Sequence, residues 1–198
     1  MNIRARRKNW KMHDIWKQPP PEEPARVGHW MATYSGTRFW PCDPRPEEIH
    51  LTDIAHALSN LCRFGGHLRR FYSVAEHCVH ICRAAPKPFK RVALLHDASE
   101  AYLVDMPRPI KMMLKEYKDI EARLEKCLAE RFKLLYPYPA KIKELDNAIL
   151  LTEWTMFGTT PELLNHLGNL GTPLPVKLEG WAPERAELEF LYEATQWL

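Results

Sequence analysis

The chain has 198 residues, of which 45% are hydrophobic, so it is long enough to bury one hydrophobic core without disulfides or structural metals. Its five cysteines are an odd number and form no CxxC pair, which argues against a disulfide framework and a thiolate zinc module. There is no stretch of about 18 apolar residues and no apolar secretory segment at the N-terminus. We therefore expect a cytoplasmic protein that does not cross a membrane.

The net charge of +3 is unevenly distributed along the chain. Residues 1–17 carry +5, and the remainder of the chain carries −2. Prolines are concentrated at residues 19–24, a composition typical of an extended linker. We predict a basic, proline-rich extension over residues 1–28 and a single domain over residues 29–198. Nucleic-acid binding by this slightly acidic domain is not favoured, whereas the extension fits either a nucleic-acid contact or a solvated terminus.

Aromatic residues and turn formers are concentrated in residues 29–45, which predicts extended segments or a small hairpin. The aromatic residues from Trp30 to Trp40 fit an arm packed on the domain better than a platform for stacking bases. Helical periodicity dominates the rest of the chain, and alternating strands and helices are missing. The predicted fold is all-α, a helical bundle with a short extended or hairpin arm near its N-terminus.

Apolar residues spaced three and four apart predict a series of helices. We expect them from Ile54 to a stop at Gly65, from Ser73, from Pro88 to Pro107, from Leu114 to Phe132, from Pro139 through Phe157, and from Pro183. Ser73 and Glu76 have the spacing of a capping box. In such a box the hydroxyl and the carboxylate each accept a hydrogen bond from a free backbone N–H of the first turn.

Ionisable residues interrupt the apolar stripes of two predicted helices. His96 and Glu100 share one stripe, and Asp146 lies on another. Because an isolated buried charge is costly, several in one core imply pairing or a shared metal ion. With His77 and Asp97 they offer imidazole and carboxylate donors that suit one divalent ion, either Mn, Co, Fe, Ni, Zn or Mg. Each residue alone also fits a hydrogen-bonded core position, and periodicity does not show that they meet.

The order of these residues resembles the H…HD…D signature of the HD-domain metal-dependent phosphohydrolases. The signature is carried by His77 in VAEHCVH, His96 and Asp97 in LLHDASEAYLVDMPRPIK, and Asp146 in ELDNAILLTE. The chain is most similar to the 5′-deoxynucleotidase-like branch of that family, from about residue 30 to the C-terminus. This resemblance implies an HD-domain helical bundle in which the four residues bind the metal ion.

The resemblance also implies roles for five further residues. Glu100 matches the catalytic glutamate of an HDxxE motif, and Asp105 matches a second acidic residue that assists proton transfer or contacts the sugar. Arg63 and Phe64 match a pair in which the arginine binds phosphate and the aromatic ring crowds the 2′ position of ribose. The branch usually has tryptophan at the aromatic position, so Phe64 leaves selectivity for deoxyribose open. Lys111 is a further candidate for binding phosphate.

These residues predict hydrolysis of a nucleoside 5′-monophosphate, with deoxyribose the expected sugar, to nucleoside and phosphate. The partner is therefore a small nucleotide, and relatives in this branch commonly form homodimers. Two alternatives stay open: a triphosphohydrolase that releases triphosphate from deoxynucleotides, and a nucleotide-binding regulator without activity, against which Glu100 argues. The triphosphate alternative needs further cations in the cleft, from the set Arg69, Arg70, Arg83, Lys87, Lys90 and Arg91. Extra ligands could come from His56, His67 and His80.

Overall fold

The structure, a computed structural model, describes residues 25–160, 162 and 171–198. The predicted basic extension over residues 1–28 lies outside the described residues except for its last four positions. Strand β1 (Met31–Ala32) pairs antiparallel with strand β2 (Arg38–Phe39), and Met31 lies opposite Phe39. The predicted N-terminal hairpin is thus confirmed. Phe39 and Trp40 are buried, and the Phe39 ring stacks on Tyr102, so this arm packs on the helices.

The rest of the described chain is mainly helical, which confirms the all-α prediction. The helices are α1 (Leu51–Asn60), α2 (Val74–Ala84), α3 (Lys90–Leu95), α4 (Glu100–Leu103), α5 (Arg108–Lys111), α6 (Lys115–Phe132), α7 (Ala140–Phe157) and α8 (Pro183–Trp197). Short 3-10 turns occur at Pro46–Glu48, Arg63–Gly66 and Lys87–Phe89. Helices α7 and α8 begin next to the prolines that the sequence marked as helix starts. No helix among the described residues is long and apolar enough to span a membrane.

Helix α2 is the central element of the core. It packs against α1, α3, α7 and α8, and its residues from Val74 to Cys82 are all buried. A helix surrounded in this way is usually apolar on every side. Glu76, His77 and His80 are exceptions, and the first two are fully buried, so this helix carries charged or titratable polar side chains into the core of the described chain.

The predicted capping box forms only in part. The Ser73 hydroxyl accepts a hydrogen bond from the Glu76 N–H at 3.1 Å, as expected. The Glu76 carboxylate does not bind the first turn of α2. It accepts hydrogen bonds from the N–H groups of three consecutive residues, Glu179, Gly180 and Trp181, at 2.6–3.1 Å. Backbone N–H groups away from water need hydrogen-bond acceptors, and the two oxygens of the Glu76 carboxylate serve as acceptors for these three.

The single helix predicted from Pro88 to Pro107 is interrupted. Helix α3 ends at Leu95 and α4 begins at Glu100, and a tight turn carries His96 and Asp97 between them. The His96 Nδ1 forms a hydrogen bond with the carbonyl oxygen of Ala93 at 2.8 Å. This local side-chain bond competes with the backbone hydrogen bonds of a continuous helix. The interruption places the His-Asp pair on a turn that faces α2.

The helix predicted to stop at Gly65 ends earlier, at Asn60. The chain then extends and bonds the segment before α2: Arg63 N–H donates to the Tyr72 carbonyl oxygen at 2.9 Å, and Val74 N–H donates to that of Leu61 at 3.0 Å. These two bonds fix Arg63 beside the start of α2.

Candidate functional site

Two imidazole rings meet at the centre of the molecule. The Nε2 atoms of His77 and His96 lie 3.3 Å apart. Each ring is held by its other nitrogen, since His77 Nδ1 lies 2.6 Å from Glu153 Oε1 and His96 Nδ1 lies 2.8 Å from the Ala93 carbonyl oxygen. A carbonyl oxygen only accepts hydrogen bonds, so Nδ1 of His96 carries the proton. In its neutral form this ring therefore presents an Nε2 lone pair toward His77.

Two carboxylates complete the cluster. Asp97 Oδ2 lies 3.3 Å from His77 Nε2 and 3.2 Å from His96 Nε2. Asp146 Oδ1 lies 3.5 Å from His77 Nε2, and donor atoms of His77, His96 and Asp146 all lie within 4.8 Å of one another. Nitrogen and oxygen donors at about 2.1 Å from one ion are separated by about 3.0–3.4 Å when they are neighbours in its coordination shell. His77, His96 and Asp97 are thus brought together at suitable spacings, and Asp146 adjoins them through its contact with His77.

The charges of this cluster are strongly coupled. Burial alone would lower the pKa of His96, but the neighbouring Asp97 carboxylate raises that pKa well above its ordinary value. Burial alone would raise the pKa of Asp97, but His96 and His77 hold it well below its ordinary range. The carboxylates thus stabilise positive charge at the point where the imidazole nitrogens converge. A divalent cation satisfies the same electrostatic demand and displaces protons from its ligands.

Two further acidic residues lie beside the cluster. Glu100 opens α4, and its Oε2 atom is buried without a hydrogen-bond partner among the described residues. Burial, together with the charges of Asp97 and Asp105, raises the pKa of Glu100 well above its ordinary value. Val104 follows the last residue of α4 and has a φ of 63°, a strained conformation for a β-branched residue. The chain changes direction at this residue, and Asp105 comes next. Burial also raises the pKa of Asp105.

Arg63 is buried and directed at the same centre. Its Nη2 lies 3.2 Å from Glu153 Oε2, and its Nη1 lies 3.6 Å from Asp97 Oδ2. Phe64 follows with a φ of 56°, and its ring packs at a tilt 5.7 Å from the ring of Trp154. The predicted pair of an arginine and an aromatic ring therefore adjoins the cluster.

Lys111 has a different environment from the other predicted residues. Its ammonium group forms an ion pair with Glu121 of α6. Asp97 and Glu100 also raise its pKa, although less than Glu121 does and against the effect of burial. The charge of Lys111 is therefore engaged by a neighbouring helix.

Two of the three other histidines with open roles, His56 and His80, have partners outside the cluster. His56 stacks on Tyr34 at 3.7 Å between ring centroids and bonds Glu187 at 3.0 Å. His80 packs against Trp181 and lies 3.6 Å from Glu76. His67 is exposed on a turn. The described contacts thus give His56 and His80 packing roles.

Three of the six basic residues named above as candidates for binding a triphosphate form ion pairs or hydrogen bonds with other parts of the protein. Arg83 binds Glu189 and Glu193 of α8 at 2.6 and 2.7 Å. Lys90 and Arg91 donate to backbone carbonyl oxygens at the ends of α2 and α8, respectively. These contacts favour the interpretation of the three residues as structural surface cations.

One residue of the centre was not assigned a role from the sequence. Glu153 of α7 is 0% exposed and lies between His77 and Arg63. The available signal was its position on the apolar stripe of α7, two helical turns after Asp146. Cys78 of α2 forms a second potential donor group with His96 and Asp97. Burial raises its pKa to about 11, so its thiol is neutral near neutral pH.

The chain matches no family model. It is 40% identical to the uncharacterized protein YfdR of Escherichia coli over 123 residues, which are 62% of this chain and 69% of that protein. The chain belongs to the YfdR family. The chain is also 38% identical to the uncharacterized protein RCAP_rcc00048 of Rhodobacter capsulatus over 124 residues, which are 58% of this chain and 63% of that protein. Neither relative's name states an activity, so the function has to be inferred from the geometry of the centre.

Proposed function

We propose that this protein is a cytoplasmic HD-domain metal-dependent phosphohydrolase that hydrolyses a nucleoside 5′-monophosphate, preferably with deoxyribose, to nucleoside and phosphate. The observation that carries the proposal is the convergence of His77, His96, Asp97 and Asp146 beside a buried arginine and a buried glutamate. The resemblance to HD-domain proteins assigns the same residues to the same tasks, and the geometry supports that assignment.

The residues present fit a divalent metal ion. Two imidazole nitrogens face each other at 3.3 Å with carboxylate oxygens at 3.2–3.5 Å, which is the mixed nitrogen and oxygen donor set that such ions take. His77, His96, Asp97 and Asp146 would hold the ion, which is expected to be Mn, Co, Fe, Ni, Zn or Mg. When bound, such an ion acts as a Lewis acid on a phosphoryl oxygen and lowers the pKa of water.

Arg63 binds the phosphate in this proposal. Its Nε and Nη2 atoms are engaged by Glu153 at 3.3 and 3.2 Å, so the Nη1 edge is the part of the guanidinium that faces the donor cluster. A phosphate bound beside that edge receives charge-assisted hydrogen bonds on its non-bridging oxygens. A buried, fixed cation stabilises the charge that develops in the transition state. One arginine together with one divalent ion fits the charge of a single phosphate group, about −1.5 to −2 at neutral pH.

Glu100 transfers protons in this proposal. The oxygen of the attacking water forms a bond to phosphorus, and the bond between phosphorus and the 5′ oxygen breaks. Glu100 accepts a proton from the water and supplies one to the departing 5′ oxygen. Its buried and unpartnered Oε2 has the freedom to do so, because no other described group claims it. Asp105, whose charge couples to Glu100, lies where it can assist the transfer or contact the sugar.

The test is a substrate panel. Full-length protein stripped with a chelator is reconstituted with Mn, Co, Ni, Zn, Fe or Mg and incubated with ribo- and deoxynucleoside mono- and triphosphates. We expect orthophosphate from a 5′-monophosphate with at least one metal and none with the chelator. Release of triphosphate would replace the proposal by a triphosphohydrolase. Binding of nucleotides without turnover under any metal would contradict an enzyme and favour a regulator.

A further inference from the structure

Glu153 joins the two halves of the proposed active site. Its Oε1 lies 2.6 Å from Nδ1 of His77, and its Oε2 lies 3.3 and 3.2 Å from Nε and Nη2 of Arg63. The side chain is 0% exposed, so water does not compete for these bonds. Both carboxylate oxygens are therefore committed to residues that face the donor cluster.

The bond to His77 determines which ring nitrogen is available to a metal. A buried carboxylate accepts, so the proton of neutral His77 lies on Nδ1 and the lone pair lies on Nε2. Nε2 is the atom that lies 3.3–3.5 Å from His96, Asp97 and Asp146. Without this acceptor the imidazole could reverse its tautomer or rotate, and either change would remove a donor from the cluster.

The bond to Arg63 determines the direction of the guanidinium. Two of its nitrogens are bound to one carboxylate oxygen, which leaves Nη1 on the side of Asp97. A buried arginine without its carboxylate would also be an uncompensated charge. The same residue therefore controls the metal-binding and the phosphate-binding parts of the centre.

We propose that Glu153 is a positioning residue that orients His77 toward the metal ion and Arg63 toward the substrate phosphate. The inference rests on the proposed function, and it adds a shared anchor that couples metal affinity to phosphate affinity. Partners that orient a ligating histidine typically contribute 10–100-fold to metal affinity or activity, roughly the size expected here. A simple structural ion pair would affect stability and leave both affinities unchanged.

The chain offers a matched control for this test. Glu193 of α8 is also buried, and it binds Arg83 at 2.7 Å and the indole N–H of Trp197 at 3.1 Å. Glu153→Gln and Glu193→Gln therefore make the same chemical change in a buried carboxylate that binds an arginine, although Arg83 is exposed whereas Arg63 is buried. Only Glu153 contacts the donor cluster.

The experiment measures Co²⁺ binding to the full chain by the visible absorbance of the bound ion, followed by binding of inorganic phosphate to the cobalt-loaded protein. We expect Glu153→Gln to weaken Co²⁺ binding about 10–100-fold, to alter the cobalt spectrum, and to weaken phosphate binding. Glu193→Gln should bind both like the wild type. Wild-type affinities and spectrum in Glu153→Gln would overturn the inference while leaving the proposed function intact. Failure of the wild-type chain to bind Co²⁺ would contradict the proposed function itself.

A second measurement does not depend on the folding of a variant. In the wild-type protein loaded with diamagnetic Zn²⁺, long-range proton–nitrogen NMR spectra identify the protonated nitrogen of each histidine. We expect a proton on Nδ1 of His77 and none on Nε2. A proton on Nε2, with Nδ1 as the coordinating atom, would overturn the inference.

Discussion

Two fully buried glutamates show how differently this fold uses the same side chain. Glu76 of α2 binds the N–H groups of three consecutive backbone residues, 179–181. Glu153 of α7 binds two side chains, His77 and Arg63, whose remaining polar atoms face the donor cluster. The partners of Glu76 are backbone groups with no further donor to offer. The partners of Glu153 are side chains whose other nitrogens remain available to a metal ion or a substrate. Burial alone therefore does not mark a functional acid, and the orientation of its partners does.

The two regions also differ in charge balance. The Glu76 region contains one carboxylate whose hydrogen bonds come from neutral backbone donors. The centre gathers Asp97, Asp105, Asp146 and Glu100 around Arg63, and the charge of Asp97 acts to raise the pKa of the other three. Such crowding costs folding free energy unless a cation relieves it. The comparison predicts that substitutions at the centre change chemistry and that substitutions at Glu76 change stability.

The largest effect is expected for Glu100→Gln. The amide keeps the size of the side chain but cannot transfer a proton, so kcat should fall by about 10²–10⁴-fold. Co²⁺ affinity should remain close to that of the wild type, because Glu100 is not one of the four donors. Steady-state kinetics and cobalt titration check both parts. A variant with full kcat would remove Glu100 from the mechanism.

Glu76→Gln should show the opposite behaviour. An amide replaces one acceptor oxygen by an N–H₂ group that faces backbone donors, so the free energy of unfolding should fall by about 2–4 kcal/mol. Co²⁺ affinity of the folded variant should not change. Urea unfolding and cobalt titration provide the two measurements. Loss of metal binding at unchanged stability would break the distinction between the two buried glutamates.

Phe64→Trp tests which side of the centre faces the sugar. Phe64 adjoins Arg63, and a larger ring there should crowd a 2′ hydroxyl more strongly. We expect the ratio of kcat/KM for deoxy- over ribonucleoside monophosphates to rise by about tenfold, the scale of one steric contact in a pocket. An unchanged ratio would show that the ring lies away from the 2′ position.

The smallest effect is expected for Glu125→Gln on α6. Burial raises the pKa of Glu125 to about 7. Because this folded-state value lies above that of the unfolded chain, the wild type loses stability as the pH rises from about 4.5 to 7. The variant removes this loss, and partial solvent screening limits the gain at pH 8 to about 1 kcal/mol. Urea unfolding of both proteins at pH 5 and pH 8 checks the prediction. The prediction is wrong if the difference in the free energy of unfolding between variant and wild type is the same at both pH values.

The sequence was most informative where a local pattern determines a local structure. The short hairpin and the helix starts beside Pro139 and Pro183 were predicted correctly, since turn formers and proline act on neighbouring residues. The apolar stripes of two predicted helices also identified His96 and Asp146 as polar residues in apolar positions. The resemblance added the roles of these residues, which stay predictions.

The sequence was least informative where partners are distant in the chain. Glu76 was assigned to its own first turn, but its carboxylate binds residues more than 100 positions later. Glu153 lies on the apolar stripe of the helix predicted from Pro139, but its partner His77 is 76 positions away in the sequence. Periodicity shows which face of a helix is buried and carries no information about the residue it meets.

The most direct test of the account is the position of a bound metal in a crystal of the cobalt-reconstituted protein, measured by anomalous diffraction at the cobalt edge. We predict one strong peak between Nε2 of His77 and Nε2 of His96, within coordination distance of carboxylate oxygens from Asp97 and Asp146. A cobalt ion bound elsewhere, or no peak at this position in protein that contains stoichiometric cobalt, would contradict the central claim.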